Sequence, residues 1–231
     1  MEKKTLVGIN GFGRIGRAIF RQLFQSSKFE VVWINDLNPD IHNLCYLINF
    51  DTLHGQFKQK AEVEGSSLLI DKKKIKVTNQ SLISDALWHE EGVDIVIESS
   101  GFKPNISIAK ECIRGSVKKV LFSDSPEGMD LTLVHGVNEN LYDDKKHHVI
   151  SASICDVVGT APVLSIMSNL CEIKSAFLQT LHPWLSYQNM MDGPLNQDVI
   201  QDPNGKAYGI GRATSGNLIP KNTSLGNALN K

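Results

Sequence analysis

The chain has 231 residues, 41% of them hydrophobic and 21% charged, with a formal net charge of -1. That length holds one or two domains with a sizeable core, and near-neutral charge gives no electrostatic case for a nucleic acid or a membrane surface as partner. No apolar run approaches the ~18 residues of a membrane span, and Cys45, Cys112, Cys155 and Cys171 have neither metal-type spacing nor disulfide density, so reduced thiols and a cytoplasmic location are expected.

Met1-Glu2-Lys3-Lys4 leads straight into a strand pattern, Thr5 to Ile9, with no signal-peptide pattern before it. Asn10-Gly11-Phe12-Gly13-Arg14-Ile15-Gly16-Arg17 follows at once, and apolar residues then recur with helical period at Ile15, Ala18, Ile19, Leu23 and Phe24. Gly11, Gly13 and Gly16 thus place a GxGxxG pattern between strand and helix, the context that a dinucleotide-binding turn requires. The first glycine permits the tight turn, the second lets backbone approach a pyrophosphate, and the third lets the helix pack closely on its strand. The helix N-terminus favours the phosphate charge. A second strand, Glu30 to Ile34, ends at Asn35-Asp36, 25 residues after Gly11. A carboxylate there accepts hydrogen bonds from a ribose diol and repels a 2′-phosphate, which favours NAD over NADP. The glycine pattern alone is weak; strand, helix, second strand and acid together outweigh a chance glycine-rich turn.

Ile41 to Phe50 reads as a helix and residues 51–57 as a loop. Alternation over Lys58–Ser66 and Leu68–Thr78 predicts strands with turns, an antiparallel insertion in a parallel pattern. Leu82 to His89 is expected as a short helix, and Val93 to Glu98 as a buried strand ending at Ser99-Ser100-Gly101-Phe102. Asn105 to Arg114 reads as a helix, with strands at Lys119 to Phe122 and Asp130 to His135. The alternation predicts an α/β fold, a Rossmann-type doubly wound parallel sheet. Its strand ends would align Gly11–Gly16, Asp36, Ser100-Gly101 and Ser123 along one edge, where a cofactor binds. A domain boundary is expected near residue 150, dividing 1–150 from 151–231.

Beyond it, the β-branched run His148-Val149-Ile150 leads into Ser151-Ala152-Ser153-Ile154-Cys155-Asp156 and then a helical pattern through Leu170. Cys155 at the strand-to-helix junction sits in the field of a helix N-terminus, which favours a thiolate. A strand-like run, Ala176 to Leu181, ends at His182, 27 residues after Cys155. Together they make a nucleophile–base pair. A buried structural cysteine with an ordinary loop histidine is the plainer alternative, and the dinucleotide fingerprint is what weighs against it. Cys45, Cys112 and Cys171 lie in apolar helical patterns and are expected to react slowly.

This order of signals resembles the glyceraldehyde-3-phosphate dehydrogenase family. Residues Asn10 to Arg17 match that family's N-terminal fingerprint, Phe50 to Phe57 its Tyr-Asp-x-x-His-Gly-x-Phe loop, Glu98 to Gly101 its Glu-x-Thr-Gly turn, and Gly136-Val137-Asn138 its Gly-Val-Asn. The family's Ser-Asn-Ala-Ser-Cys-Thr-Thr-Asn-Cys-Leu-Ala-Pro motif aligns without gaps on Ser151, Ala161 and Pro162, which places the catalytic cysteine on Cys155 and puts His182 at the family's separation. Asp192-Gly193-Pro194, Asn217 to Pro220 and Thr223 continue the match. The resemblance implies an NAD-binding Rossmann domain over 1–150 and an incomplete α+β catalytic domain over 151–231. It implies NAD held by Asn10, Gly11, Phe12, Gly13, Arg14, Ile15, Gly16, Asp36, Ser100, Gly101, Phe102 and Ser123, with no metal. Cys155 would attack an aldehyde to give a thiohemiacetal, His182 would act as base, and water or phosphate would open the thioester. Arg212 and Thr223 would contact substrate anions. The implied setting is glycolytic and cytoplasmic, with a homo-oligomer, a tetramer, as the assembly.

The departures from the family concern anions. Ile154 and Asp156 stand where the family has hydroxyls on either side of the nucleophile, Leu185 and Tyr187 where it has threonines past the histidine, and Ser224 where it has a glycine. Ile154, Asp156 and Leu185 remove phosphate donors, and Asp156 adds a like charge. An aldehyde other than the usual triose phosphate is therefore implied. The resemblance is to a divergent, C-terminally truncated member, with a longer segment between His182 and Arg212 than the family's subunit-contact loop. The same departures support an alternative from another class, a non-catalytic NAD-binding paralogue acting as an interaction or regulatory protein.

Overall fold

The computed structural model describes residues 3–194, 208–220 and 223–229. Contacts divide the chain into two units, Met1–Val163 and Leu164–Lys231. In chain order the first unit holds β1 (Thr5–Asn10), α1 (Arg14–Phe24), β2 (Phe29–Asn35), α2 (Ile41–Asn49), β3 (Ala61–Glu64), β4 (Ser67–Ile70) and β5 (Lys73–Thr78). It continues with β6 (Ile95–Glu98), α3 (Pro104–Ile108), β7 (Lys119–Phe122), β8 (Leu131–Thr132) and β9 (Val149–Ser151). Then α4 (Cys155–Leu170) begins in the first unit, and α5 (Leu225–Leu229) lies in the second.

One sheet carries the order β3-β4-β5-β2-β1-β6-β7-β9-β8. All neighbours are parallel except β3 with β4 and β4 with β5, the antiparallel insertion expected from the alternating segments. The central strands are apolar because both faces are covered. Val7, Ile9, Val31 and Ile34 pack with Phe12, Phe20, Leu44, Ile48 and Phe57 from α1, α2 and their loops. On the other face Trp33, Val96, Val120 and Phe122 pack with Ile83, Trp88, Val93 and Cys112. Simple alternation would put Val31 and Trp33 on the same face. The β1–β2 register skips Val32, pairing Val7 with Val31 and Gly8 with Trp33. That extra residue reverses the phase of β2 and sends Trp33 to the second core.

Four segments differ from their sequence-based expectation. Leu82–His89 is no α-helix: turns lead to a 3-10 turn at Trp88–Glu91. The Trp88 indole N–H donates to the Ile83 carbonyl at 2.8 Å, so burying that ring folds the segment back on itself. Asn105–Arg114 breaks after α3 into a 3-10 turn, Ala109–Cys112, whose three-residue period turns both Ala109 and Cys112 inward. The strand expected over Asp130–His135 shrinks to Leu131–Thr132, because the Asn138 side chain accepts from the Val134 N–H (2.7 Å) and donates to the Thr132 carbonyl (2.9 Å). In the second unit Ala176–Leu181 forms no strand; its residues are exposed and it joins no ladder. Of the long segment between His182 and Arg212, residues 195–207 lie outside the described residues, as do Met1 and Glu2.

Trp88 is 1% exposed, lies 5.1 Å from the Trp33 ring centroid, and fills the space where Gly8 lacks a side chain. A Cβ on Gly8 would sit 2.5 Å from the indole. Trp88→Ala leaves a cavity against β1 and β2 and is expected to lower stability by about 3–5 kcal/mol. Urea unfolding measures this; a loss below about 1 kcal/mol would show that the indole does not hold the second core together.

Candidate functional site

The carboxyl ends of β1, β2 and β6 open into a cleft of about 170 Å3, lined by Asn10, Gly11, Gly13, Asn35, Asp36, Leu37, Gln80, Ser81, Ser99, Ser100, Phe102 and Asn105. Its wall is the glycine turn, and each glycine has a different physical reason. Gly11 has φ +85°, and a Cβ there would lie 2.4 Å from the Ser100 backbone. A Cβ on Gly16 would lie 2.1 Å from the Gly11 carbonyl oxygen, so the helix could not close on the turn. A Cβ on Gly13 would meet nothing within 4 Å, so it would project into open space where a ligand's phosphates can approach the backbone. The turn is tied to β6 by Ser99, whose hydroxyl donates to the carbonyls of Gly11 (2.7 Å) and Asn10 (3.1 Å). No side chain caps α1 and its first turn holds no acidic residue. That is the form of helix N-terminus that attracts an external anion.

Asp36 stands at the end of β2 and does two jobs. Its Oδ2 accepts from the Phe12 N–H at 2.6 Å and its Oδ1 from the Asn38 N–H at 2.9 Å. The carboxylate that could receive a ribose therefore also pins the glycine turn. The ring of Phe12 is 1% exposed and packs edge-on against Phe20, so only its backbone belongs to the turn. Arg14 and Ile15 are exposed on the first turn of α1, and Gly16 is buried beneath it. Gly101 borders a smaller hollow with Glu98, Phe102 and Phe122. Ser123, just past β7, donates its N–H to the Glu98 carbonyl at 3.0 Å.

Below the cleft lies a group of polar residues that periodicity passes over. Asn10, Asn35, Glu98 and Asn105 are each 3% exposed or less. Glu98 accepts from Asn10 Nδ2 (2.5 Å), Asn105 Nδ2 (2.9 Å), the Ser100 N–H (2.7 Å) and the Ser100 hydroxyl. Burial pushes its carboxyl above the ordinary value, while these donors pull the other way by favouring the charged form. For Asn10, Asn35 and Glu98 the signal in the sequence was a polar residue closing an apolar strand run, which is easily taken for the start of a loop; Asn105, in α3, carried no such signal.

Cys155 opens α4 and is exposed. The turn before it is tight: Ser153 is buried with φ +65°, and its N–H donates to the Ser151 hydroxyl (2.9 Å), which donates to the Asp124 carbonyl (2.6 Å). A left-handed residue other than glycine is held there by surrounding packing, and it turns the chain from β9 into the helix. Asp156 Oδ1 lies 4.0 Å from the Cys155 sulfur. In the second unit, His182 is exposed and its Nδ1 lies 2.7 Å from the Pro183 carbonyl oxygen. A carbonyl only accepts, so Nδ1 carries the proton and Nε2 is the basic nitrogen. Arg212 pairs with Asp192 at 3.4 Å, and the Thr223 hydroxyl accepts from the Leu225 N–H at 3.2 Å at the start of α5. Cys155 thus belongs to one unit, and His182, Arg212 and Thr223 to the other. Among the described residues no group of His, Cys, Asp or Glu is arranged to hold a metal.

Residues 5–105 match the family model described as "Glyceraldehyde 3-phosphate dehydrogenase, NAD binding domain". Over 223 residues the chain is 34% identical to glyceraldehyde-3-phosphate dehydrogenase of Priestia megaterium, covering 96% of this chain and 63% of the relative. The enzyme of that name from Streptomyces coelicolor is 36% identical over 96% of this chain and 63% of its own length. "Glyceraldehyde-3-phosphate dehydrogenase, cytosolic" from Trypanosoma brucei brucei is 32% identical over 97% of this chain and 64% of its own length. The chain therefore spans slightly less than two thirds of the length of these relatives.

The cysteines separate by burial rather than by helical pattern. Burial pushes the Cys112 thiol up to about 12 and raises that of Cys45. Cys171, expected to be slow, is instead exposed just past the end of α4. Brief alkylation of the folded protein should label Cys155 and Cys171 and spare Cys45 and Cys112. Peptide mapping that finds Cys112 modified before Cys155 would contradict this placement.

Proposed function

The chain belongs to the glyceraldehyde-3-phosphate dehydrogenase family, and from that premise we propose that it binds NAD in the cleft and oxidises an aldehyde through Cys155. The observation that carries this reading is the glycine turn: its first and third glycines are packed against protein, its second faces open space, and Asp36 closes its far end. The pyrophosphate would lie over Gly11–Gly13 at the α1 N-terminus, with the adenosine ribose on Asp36 and the adenine between the exposed apolar surfaces of Leu37 and Phe102.

When bound, NAD supplies the hydride acceptor for the oxidation. The Cys155 sulfur adds to the aldehyde carbon, and Nε2 of His182 takes the thiol proton and later assists loss of the hydroxyl proton. The Cys155 N–H, at the start of a helix, would receive the developing oxyanion. Ile154, Leu185 and the carboxylate of Asp156 offer no donor to a phosphate group, and Asp156 repels one. The favoured substrate is therefore an aldehyde other than a triose phosphate, with water opening the acyl-enzyme. A second reading, NAD binding without turnover, draws on the same carboxylate beside the sulfur. No helix among the described residues is long and apolar enough to cross a membrane. A cytoplasmic homo-oligomer, by analogy with the family, completes the proposal.

Calorimetry should show NAD binding at least ~10-fold more tightly than NADP. Asp36→Asn drops the charge and sets an NH2 against one of the two backbone N–H groups that the carboxylate holds, so it should narrow that preference by weakening NAD and relieving the repulsion of NADP. Equal affinities in the parent protein would refute the assignment of Asp36. For the chemistry, an aldehyde panel quenched in the presence of NAD should give an acyl adduct on Cys155 that is absent in Cys155→Ser and not increased when the aldehyde carries a phosphate. NAD binding with no adduct from any aldehyde would establish the non-catalytic reading instead.

A further inference from the structure

The buried Asn35, Asn10 and Glu98, with the half-buried Thr78, form a hydrogen-bond chain in which every link donates in the same direction. The Trp33 indole N–H donates to Thr78 Oγ1 (2.9 Å), the Thr78 hydroxyl to Asn35 Oδ1 (2.8 Å), Asn35 Nδ2 to Asn10 Oδ1 (2.7 Å), and Asn10 Nδ2 to Glu98 Oε2 (2.5 Å). From the other side Asn105 Nδ2 donates to the same carboxylate oxygen (2.9 Å), and both the N–H and the hydroxyl of Ser100 donate to its partner.

The direction is set by groups that cannot reverse. The Gln80 N–H donates to Asn35 Oδ1 (2.8 Å) and the Ile83 N–H to Asn105 Oδ1 (3.0 Å). Both asparagines must therefore turn their oxygens to these backbone donors and their NH2 groups toward the chain. Asn10 receives a donor from Asn35, so it too presents NH2 onward. An ionised carboxylate accepts and never donates, which makes it the side chain that can end such a chain with every donor satisfied.

We propose that Glu98 is a positioning residue for the dinucleotide, acting as the terminal acceptor that fixes Asn10 and Ser100 and, through them, the Gly11–Gly13 turn. This rests on the reading of the cleft as an NAD site. Asn10 leads directly into the turn and Ser100 touches the place of the missing Gly11 side chain, so a change of partner at Glu98 reaches both walls of the cleft.

The test is a double-variant cycle on the full chain. Glu98→Gln replaces one acceptor with an N–H that faces other donors, and Asn10→Asp sets a second carboxylate against Glu98. Each alone should weaken NAD binding at least ~10-fold by calorimetry. Combining them restores a one-way chain with its acceptor moved one strand over. The amide at 98 donates to the carboxylate at 10, which still accepts from Asn35, while Asn105 keeps the Ser100 hydroxyl at 3.3 Å. The combined variant should bind NAD more tightly than either single one and unfold at higher urea than the weaker of them. Losses that multiply in the combined variant, or undiminished NAD binding by Glu98→Gln, would overturn the proposal. If a single variant does not fold, a folded combined variant supports the chain, and a combined variant no more stable than that single one overturns it. A parent protein that fails to bind NAD would count against the NAD reading alone, since the urea cycle still reports on the chain.

Discussion

Buried polar groups must find partners, and that requirement organises the first unit at the one edge where its sheet stops being apolar. Thr78, Asn35, Asn10 and Glu98 close four strands that lie side by side in the order β5-β2-β1-β6. The register pairs Thr78 with Asn35, Asn35 with Asn10 and Asn10 with Glu98, so these residues form one row across the sheet. Each would be costly to bury alone, by roughly 1–3 kcal/mol for an unmet donor or acceptor. They satisfy one another only in this strand order and this register. A slip of one residue would strand all of them and send each strand's apolar side chains to the wrong one of the two cores. The cleft is therefore a consequence of sheet register, and the glycine turn is seated on it rather than self-supporting.

Much of this was legible in the chain because local signals and tertiary demands coincide at β1, α1 and β2. A short apolar run, three glycines at fixed spacing and an amphipathic helix each specify the same local structure, and the structure keeps all of them. Where the two diverge, the sequence is silent. The skipped residue in β2 is invisible to alternation because Val31, Val32, Trp33 and Ile34 are all apolar, and only packing decides which face each one takes. The helix expected near 82–89 fails for a related reason. The Trp88 indole hydrogen-bonds to the Ile83 carbonyl, which a continuous helix would not allow, and this outweighs helical propensity.

The segment around Cys155 shows the same division. Cys155 at the start of a helix after a strand was readable from the β-branched run and the pattern through Leu170. Its exposure and the left-handed Ser153 that aims the turn were not, since nothing in the serine side chain favours positive φ. The reactivity contrast among the cysteines was only half legible. Helical periodicity places Cys171 with Cys45 and Cys112, whereas burial, which depends on what packs against each helix, separates them. His182, Arg212 and Thr223 were named from spacing against a family pattern, and that pattern says nothing of the Asp192 pair or of the cap on α5.

The row of strand ends does not stop at Glu98. Phe122 pairs with Glu98, and Ser151 with Phe122, so the end of β9 stands in the same line as Asn35 and Asn10. All these strands run parallel, and the turns that leave them emerge on one edge of the sheet. Asp36 follows Asn35 and Cys155 follows Ser151 after a short turn. With strands about 4.8 Å apart, the ends of β2 and β9, four strand spacings apart, are separated by roughly 19 Å. A ligand that used both the Asp36 carboxylate and the neighbourhood of the Cys155 sulfur must therefore be long, lie across the strand ends and pass over the α1 N-terminus, one strand spacing from β2 and three from β9, where negative charge is favoured. Those demands describe an extended dinucleotide better than a mononucleotide. Because the spacing is set by strand order, it would survive changes of the side chains around Cys155. Cofactor binding is thus a property built into the order and register of the strands, which leaves the side chains of the loops free to change.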